Sequence, residues 1–189
     1  MDGCRGWESG ANSGSGDAVP EEFVDYQNAL TLKTTLHEYR LESVLGAGGF
    51  GITYLAWDTN LEKHVAIKEY LPGDLAMRAL DGSVVPVNTD HKHNYQWGLE
   101  RFIQEARTLA KFSHPNIVRV NRYFEANGTG YMVMEYEQGE SLHQFLKRAP
   151  TLDEEALTAI VMPILDGLQA VHRTGFLHRD IKPSNVFIR

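Results

Sequence analysis

Residues 45–58 read LGAGGFGITYLAWD, and the order of glycines and alternating residues in this stretch decides the fold. Gly46, Gly48 and Gly51 form a G-x-G-x-x-G pattern, which precedes a helix in dinucleotide-binding folds. Here ITYLAWD has the period of a strand. We therefore predict a turn between two strands, and this excludes a dinucleotide-binding oxidoreductase. The turn is either an ordinary hairpin or a loop whose backbone N–H groups bind phosphate.

The segments on either side of this stretch also alternate in polarity. YRLESVLG at 39–46 precedes it and HVAIKEY at 64–70 follows it, so we predict a three-stranded antiparallel meander. Within the last strand, Ala66 and Lys68 face the side that the glycine turn overhangs. A lone strand lysine is usually solvated, but a small residue beside this one leaves room for a flat ligand and supplies a cation for its phosphates.

A helix is predicted over residues 96–112, where apolar residues recur at helical spacing. A phosphate-binding lysine needs a carboxylate to hold it, and this helix offers Glu100 and Glu105. Glu105 lies at the edge of the apolar stripe, nearer the sheet, so we expect it to be the partner of Lys68.

The following segments are predicted to form a hairpin and two helices. Asn127-Gly128 is a strong hairpin signal, and a short helix covers residues 141–148. Asp153 is placed to cap a long helix that Gly175 terminates, and Pro163 should kink this helix mildly or mark a local break. Seven apolar residues share one face of this helix: Leu157, Ile160, Val161, Ile164, Leu165, Leu168 and Val171.

Composition and the N-terminal residues narrow the function classes. The 189 residues are 42% apolar and carry a net charge of −7 without a Lys/Arg cluster, so nucleic acid and anionic lipid are poor partners. No apolar run suits a membrane span or a secretory signal, and the one cysteine, Cys4, excludes an internal disulfide. Residues 1–38 are interpreted as a Gly/Ser-rich disordered tail and lead-in.

Residues 71–95 fit neither the sheet nor the helix. MRALDGSVVPV predicts a small hairpin about Asp81-Gly82. His91 and His93 suggest a metal site, but no third ligand lies nearby, so a solvated loop is the preferred interpretation.

HRDIKPSN near the end of the chain places Asp180, Lys182 and Asn185 within six residues. This combination suits phosphoryl transfer: a carboxylate accepts the proton of a hydroxyl, a lysine neutralises the transferring group, and an amide oxygen binds Mg²⁺.

Together these motifs resemble a eukaryotic-like Ser/Thr protein kinase, with GFGITYLA and KPSN closest to bacterial members. LGAGGFGITYLA resembles the glycine-rich loop, VAIK the strand-three motif, HPNIV the segment after the αC helix, MVMEYEQGESL the hinge, and HRDIKPSN the catalytic loop. The resemblance implies an α+β kinase fold: a complete N-lobe with a five-stranded antiparallel sheet and αC helix, and the start of the helical C-lobe. The lobe and hinge cover 39–137, with an insertion at 71–95, and the C-lobe covers 138–189.

The resemblance also implies roles for single residues. Asp180 is the catalytic base, Lys182 contacts the phosphate, Asn185 binds Mg²⁺, and Lys68 forms the activating ion pair with Glu105. The implied ATP contacts are Gly46, Ala47, Gly48, Gly49, Phe50, Gly51, Thr53, Ala66, Lys68, Met134, Glu135 and Glu137.

Several of these implied residues have distinctive features. Met134 occupies the gatekeeper position, and the backbone of Glu135 and Glu137 contacts adenine. Thr53 replaces the family's usual valine, which has a similar shape. Arg179 lies directly before Asp180, and an arginine at this position resembles the pattern of kinases that are switched by activation-loop phosphorylation. The expected cofactors are ATP and Mg²⁺, the expected partners are protein substrates with Ser or Thr, and the expected location of the kinase domain is cytoplasmic.

No D-F-G triplet occurs in these 189 residues. In the family its aspartate holds the principal Mg²⁺. We therefore expect a truncated chain that is inactive alone, whose longer parent is a Ser/Thr kinase. A non-catalytic nucleotide-binding or scaffold fragment is the alternative.

Overall fold

The structure is a computed structural model that describes residues 26, 28–149, 151–177 and 180–188. Its main feature is a six-stranded sheet in the order β1-β2-β3-β4-β8-β7, in which every neighbouring pair is antiparallel. The strands are β1 (Thr35–Leu36), β2 (Tyr39–Gly48), β3 (Gly51–Asp58), β4 (Lys63–Tyr70), β7 (Val120–Ala126) and β8 (Thr129–Glu135). The predicted meander is confirmed as β2, β3 and β4.

The sheet has one strand more than the predicted five. β1 lies in the segment interpreted as a lead-in, and the core includes Leu30 and Leu36 from the same segment, exposed by 8% and 6%. A two-residue strand is too short for its period to be recognised, so the sequence did not predict it. The predicted disordered tail, residues 1–20 of this segment, lies outside the described residues.

The glycine turn connects β2 to β3 as predicted, and the Cα of Gly48 is opposite that of Gly51. Gly51 has φ +153°, and a Cβ added there would lie 1.9 Å from the backbone oxygen of Glu69 on β4. This close approach of two strands requires glycine. The turn at Asn127-Gly128 is also confirmed, with both residues at positive φ as a two-residue hairpin turn needs.

One helix packs on the sheet. α1 (Lys92–Leu109) begins four residues before the predicted start and ends three residues before the predicted end. Its buried stripe, which includes Leu99 and Phe102, packs on β7 and β8. A Cβ at Gly98 would lie 2.0 Å from the hydroxyl of Tyr70, so this glycine lets α1 approach β4.

The segment between β4 and α1 contains the predicted small hairpin. Its strands are β5 (Ala76–Arg78) and β6 (Val84–Pro86), with Gly82 at φ +84° in the turn. The N–H of Val84 donates to the oxygen of Asn127 at 2.7 Å, which attaches the hairpin to the β7–β8 turn. Among the described residues, no group of three or more His, Cys, Asp or Glu side chains could hold a metal, His91 and His93 included.

The second part of the chain is built around a two-stranded ribbon and two helices. β9 (Glu140–Ser141) leads into α2 (Leu142–Arg148), α3 (Glu154–His172) follows, and β10 (Phe187–Ile188) returns to pair with β9. Ser141 caps α2 in a capping box, and Asp153 caps α3 by accepting from the N–H of Ala156. Among the described residues, no helix combines the length and apolarity that crossing a bilayer requires.

The predicted apolar face of α3 is largely open to solvent. Leu157 and Leu165 are exposed by 50% and 52%, whereas Val171 is buried. Pro163 lies inside the helix, and Gly175, at φ +77°, follows its end. Each large side chain left in water forgoes roughly 1.5–3 kcal/mol of burial, so this face favours association with other apolar surfaces.

Gly51→Ala is expected to lower the free energy of unfolding by about 2 kcal/mol or more, because the new methyl group clashes with rigid backbone at a φ that alanine avoids. Gly48→Ala is the matched control, since a Cβ there meets nothing within 4 Å. Urea denaturation of both variants measures the difference. Equal stabilities would show that the close approach of β3 to β4 does not require glycine.

The purified chain is expected to bind a hydrophobic dye through the exposed face of α3. Leu165→Gln should reduce dye fluorescence, because it replaces an exposed apolar side chain by a polar one. Ala159→Gln, at an exposed position of the same helix, should leave it unchanged. Dye fluorescence that is unaffected by Leu165→Gln would place the binding surface elsewhere.

Candidate active site

The predicted nucleotide-binding side chains lie on one face of the sheet. Lys68 on β4 is directly opposite Thr53 on β3 and Met132 on β8. One row further along, Ala66 is opposite Met134. Directly opposed residues point to the same face, as do residues two apart on a strand. The structure therefore brings Thr53, Ala66, Lys68 and Met134 together on one surface.

The glycine turn lies at one end of this surface. A Cβ added at Gly46, Gly48 or Gly49 would meet no atom within 4 Å, so the backbone there is open to a ligand. Phe50 at the tip is 74% exposed. Ala47 is opposite Ile52, which is itself opposite Glu69. The methyl group of Ala47 therefore points to the face of Glu69, away from Lys68, and only the backbone of Ala47 can reach the ligand side.

The predicted hinge follows the end of β8. The N–H of Glu135 donates to the oxygen of Arg119 at 2.9 Å, so a contact from Glu135 to adenine would have to use its carbonyl oxygen. Glu137 lies just past the strand, in an irregular segment before β9. Glu135 is thus the last residue of the sheet, and Glu137 lies in the connection to the second part of the chain.

Three residues of the predicted catalytic loop form a contiguous cluster. Lys182 Nζ lies 3.0 Å from Asp180 Oδ1. Asn185 Nδ2 donates to the backbone oxygen and to Oδ2 of Asp180, both at 2.9 Å. A short 3-10 helix, Pro183–Asn185, turns the chain back so that these side chains meet. His178 and Arg179 lie outside the described residues, and the predicted role of Arg179 with them.

The electrostatic environment keeps Asp180 ionised. The hydrogen bond from Lys182 lowers the pKa of Asp180 most, partial burial opposes it, and the amide of Asn185 and the charge of Lys182 lower the pKa further. The charge of Lys68 also contributes to this lowering.

The predicted partner of Lys68 forms no ion pair with it. Among the described residues, no ion pair within 4.0 Å joins Lys68 to Glu105. Glu105 is half-buried, whereas Glu100 is exposed and accepts from Gln96 on the solvated side of α1. The choice of Glu105 over Glu100 agrees with this difference in exposure, and its pairing with Lys68 stays a prediction.

Sequence analysis missed the charged residue next to Lys68. The side chain of Glu69 is fully buried on the opposite face of the sheet, where Arg78, Tyr54 and Tyr131 contact it. The available signal was its phase, because Glu69 alternates in step with the buried Val65 and Ile67 and so had to face the same way.

Comparison with known proteins agrees with this geometry. The family model described as protein kinase domain matches residues 39–189. Serine/threonine-protein kinase pkn2 of Myxococcus xanthus is 35% identical over 151 residues, which are 79% of this chain and 16% of that protein. Serine/threonine-protein kinase C of Synechocystis sp. is 32% identical over 162 residues, 84% of this chain and 28% of that protein. The chain thus spans between about a sixth and somewhat more than a quarter of the length of these relatives.

Solved structures show the same similarity. The apo form of PpkA-294 superposes with a TM-score of 0.81 at 38% identity, covering 86% of this chain and 58% of that one. The PknI kinase domain of Mycobacterium tuberculosis gives a TM-score of 0.65 at 27% identity, covering 84% and 57%. A Rad53 structure in complex with AMP-PNP gives 0.62 at 27% identity, covering 80% and 34%.

The fold, the clustered catalytic-loop residues and the matched relatives agree with one another. The chain belongs to the protein kinase family and is of the eukaryotic-like serine/threonine type found in bacteria.

Proposed function

We propose that this chain forms the nucleotide-binding and catalytic-loop part of an enzyme that transfers the γ-phosphoryl group of ATP to Ser or Thr hydroxyls of proteins. The observation that carries the proposal is the Asp180–Lys182–Asn185 cluster, with the charge of Lys68 reaching Asp180 from the sheet. This arrangement provides a base, a cation for the transferring group and a cation for the bound phosphates.

In this proposal each residue acts through a contact that its position allows. Asp180 accepts the proton of the substrate hydroxyl, and its lowered pKa keeps it ionised at neutral pH. Lys182, already at hydrogen-bond distance from Asp180, is placed to neutralise the phosphoryl group. Lys68 holds the phosphates under the glycine turn. Glu105 is expected to pair with Lys68 when nucleotide is bound.

The adenine end of ATP is assigned to the other end of the same surface. Ala66 and Met134, directly opposite each other on β4 and β8, offer an apolar floor for a flat ring. The backbone of Glu135 and Glu137 is placed to bind the ring edge.

Protein kinases use ATP with Mg²⁺, and the residues present fit part of such a metal site. Both contacts of the Asn185 side chain to Asp180 use Nδ2, so Oδ1 is the atom that suits a hard cation. Asn185 would hold Mg²⁺, which neutralises charge on the phosphates when bound. Because no D-F-G triplet is present in the 189 residues, we propose that phosphotransfer requires a longer gene product. Its location is proposed to be the cytoplasm, where ATP is available.

A nucleotide-binding chain without catalytic activity is the second candidate, and the missing triplet favours it for the 189 residues alone. Phosphotransfer from ATP to a generic protein substrate by the complete gene product distinguishes the two, since a scaffold would bind ATP without transferring phosphate.

Lys68→Met is expected to lower kcat/KM of the complete gene product by about 100-fold or more, because it removes the cation that holds the phosphates. Lys63→Met is the matched control, since Lys63 lies on the same strand but is exposed at its start. Steady-state phosphorylation assays measure both. Equal activities of the two variants would show that Lys68 does not hold the phosphates.

Asp180→Asn is expected to lower kcat by roughly 10²–10⁴-fold while leaving ATP affinity almost unchanged, because it removes the general base and keeps the size of the side chain. Steady-state kinetics and an ATP titration measure the two quantities separately. Loss of ATP affinity at unchanged turnover would contradict the role.

Lys182→Met is expected to raise the pKa of Asp180, because the hydrogen bond from Lys182 is the largest cause of its lowering. On acidification, Asp180 would then become protonated at a higher pH in Lys182→Met than in the wild type. An NMR titration of the Asp180 carboxyl carbon measures the shift directly, and Lys147→Met, an exposed lysine on α2, is the control. An unchanged pKa in Lys182→Met would refute the coupling.

A further inference from the structure

A buried ion pair joins the sheet to the β5–β6 hairpin on the face opposite the candidate active site. Arg78 Nη2 lies 2.5 Å from Glu69 Oε2, and the two side chains are exposed by 9% and 0%. The hydroxyl of Tyr54 donates to Oε2 at 2.8 Å and that of Tyr131 to Oε1 at 2.7 Å. The carboxylate therefore receives three hydrogen bonds at a site that water does not reach. A countercharge and satisfied hydrogen bonds are the conditions under which a protein tolerates a buried charge.

The remaining nitrogens of Arg78 hold the segments that cover this face. Nε donates to the oxygen of Asn28 at 2.7 Å, and Nη1 donates to the oxygen of Gly82 at 2.8 Å. Burial alone would lower the pKa of Arg78, but the charge and hydrogen bond of Glu69 raise it above its ordinary value. One guanidinium thus connects the lead-in, the hairpin turn and β4.

Glu69 also contacts the backbone of the glycine turn. Its carbonyl oxygen is the atom that approaches Gly51 so closely that no Cβ fits. Two residues further along, the N–H of Leu71 donates to the oxygen of Phe50 at the tip of the turn at 3.1 Å. Lys68 is the residue immediately before Glu69. A displacement of Glu69 would therefore move both Lys68 and the glycine turn.

We propose that Arg78 is a positioning residue for the nucleotide phosphates, which it places by holding Glu69 and, through Glu69, Lys68 and the glycine turn. This inference rests on the proposed function, since it assumes that Lys68 and the turn hold phosphate. It gives Arg78, within the segment at 71–95, a defined positioning role although its ion pair with Glu69 lies on the face opposite the candidate active site.

The physical consequence of losing Arg78 differs between the two ends of the nucleotide. Arg78→Met leaves a buried carboxylate with two tyrosine hydroxyls and no countercharge, which is strongly unfavourable. The end of β4 can relieve this cost by shifting toward water. The surface proposed for adenine, at Ala66 and Met134, lies one row from Lys68, further from Glu69 and the glycine turn. ATP binding should therefore weaken while adenosine binding does not.

The test is the ratio of ATP affinity to adenosine affinity in the full chain, measured by isothermal titration calorimetry with Mg²⁺ present. Arg78→Met is expected to lower this ratio about tenfold, since a misplacement of about 1 Å can cost up to about 100-fold. Partial unfolding would reduce both affinities equally and leave the ratio unchanged. Arg40→Met is the matched control, because Arg40 forms a half-exposed ion pair with Glu42 on β2; its ratio should equal that of the wild type.

Two further variants distinguish a positioning role of Arg78 from a role in stability alone and from failure of the proposed function. Arg78→Lys retains the charge, but its donors share one nitrogen and cannot span acceptors on three segments as the guanidinium does, so its ratio should lie between those of the wild type and Arg78→Met. If Arg78→Met does not fold and Arg78→Lys has the wild-type ratio, Arg78 serves stability alone and the proposal is wrong. Lys68→Met must also lower the ratio. A normal ratio in Lys68→Met would refute the proposed function itself, whereas a normal ratio in Arg78→Met alone refutes only this inference.

Discussion

The structure depends on the alternation of side chains along β4. Successive residues of a strand point to opposite faces, so Lys68 and Glu69 cannot both face the surface proposed for the nucleotide. Lys68 faces the surface shared with Thr53 and Met132, while Glu69 enters a buried site on the far side. The burial of Glu69 then requires a countercharge and hydrogen bonds, and Arg78 and two tyrosines supply them. Because Lys68 occupies one face of β4, Glu69 is buried on the other, and that face has to be covered by residues that can pair with a carboxylate.

Those parts of the fold that depend on local patterns could be predicted from the sequence. The strand period after Gly51, the Asn127-Gly128 turn, the hairpin about Gly82 and the N-cap at Asp153 all follow from one or a few neighbouring residues. The helix α1 was recognised by its apolar stripe, although its start was placed four residues late. No side-chain cap marks that start, since His91 makes no capping hydrogen bond.

The parts that depend on distant contacts could not be predicted. Leu30 enters the core and its N–H donates to the hydroxyl of Tyr54, 24 residues away. Arg78 reaches Asn28 over 50 residues. Neither contact produces a periodic pattern in the sequence. An acidic residue after VAIK is interpreted as solvated unless the segments that cover it, here the lead-in and the β5–β6 hairpin, are known. The pairing of Lys68 with Glu105 also depends on a distant contact. The family resemblance indicates which residue is the partner, but the sequence does not give the distance between β4 and α1.

The two sides of the candidate active site are held by separate constraints. Lys68 and the glycine turn are fixed by the sheet and, across it, by Glu69. Asp180, Lys182 and Asn185 are fixed instead by a short local turn, which β10 anchors beside the hinge: Phe187 is opposite Ser141, and the N–H of Leu142 donates to the oxygen of Val186 at 2.7 Å. Neither constraint uses the exposed face of α3. The cluster can therefore form without burying that face, and the charge of Lys68 already lowers the pKa of Asp180.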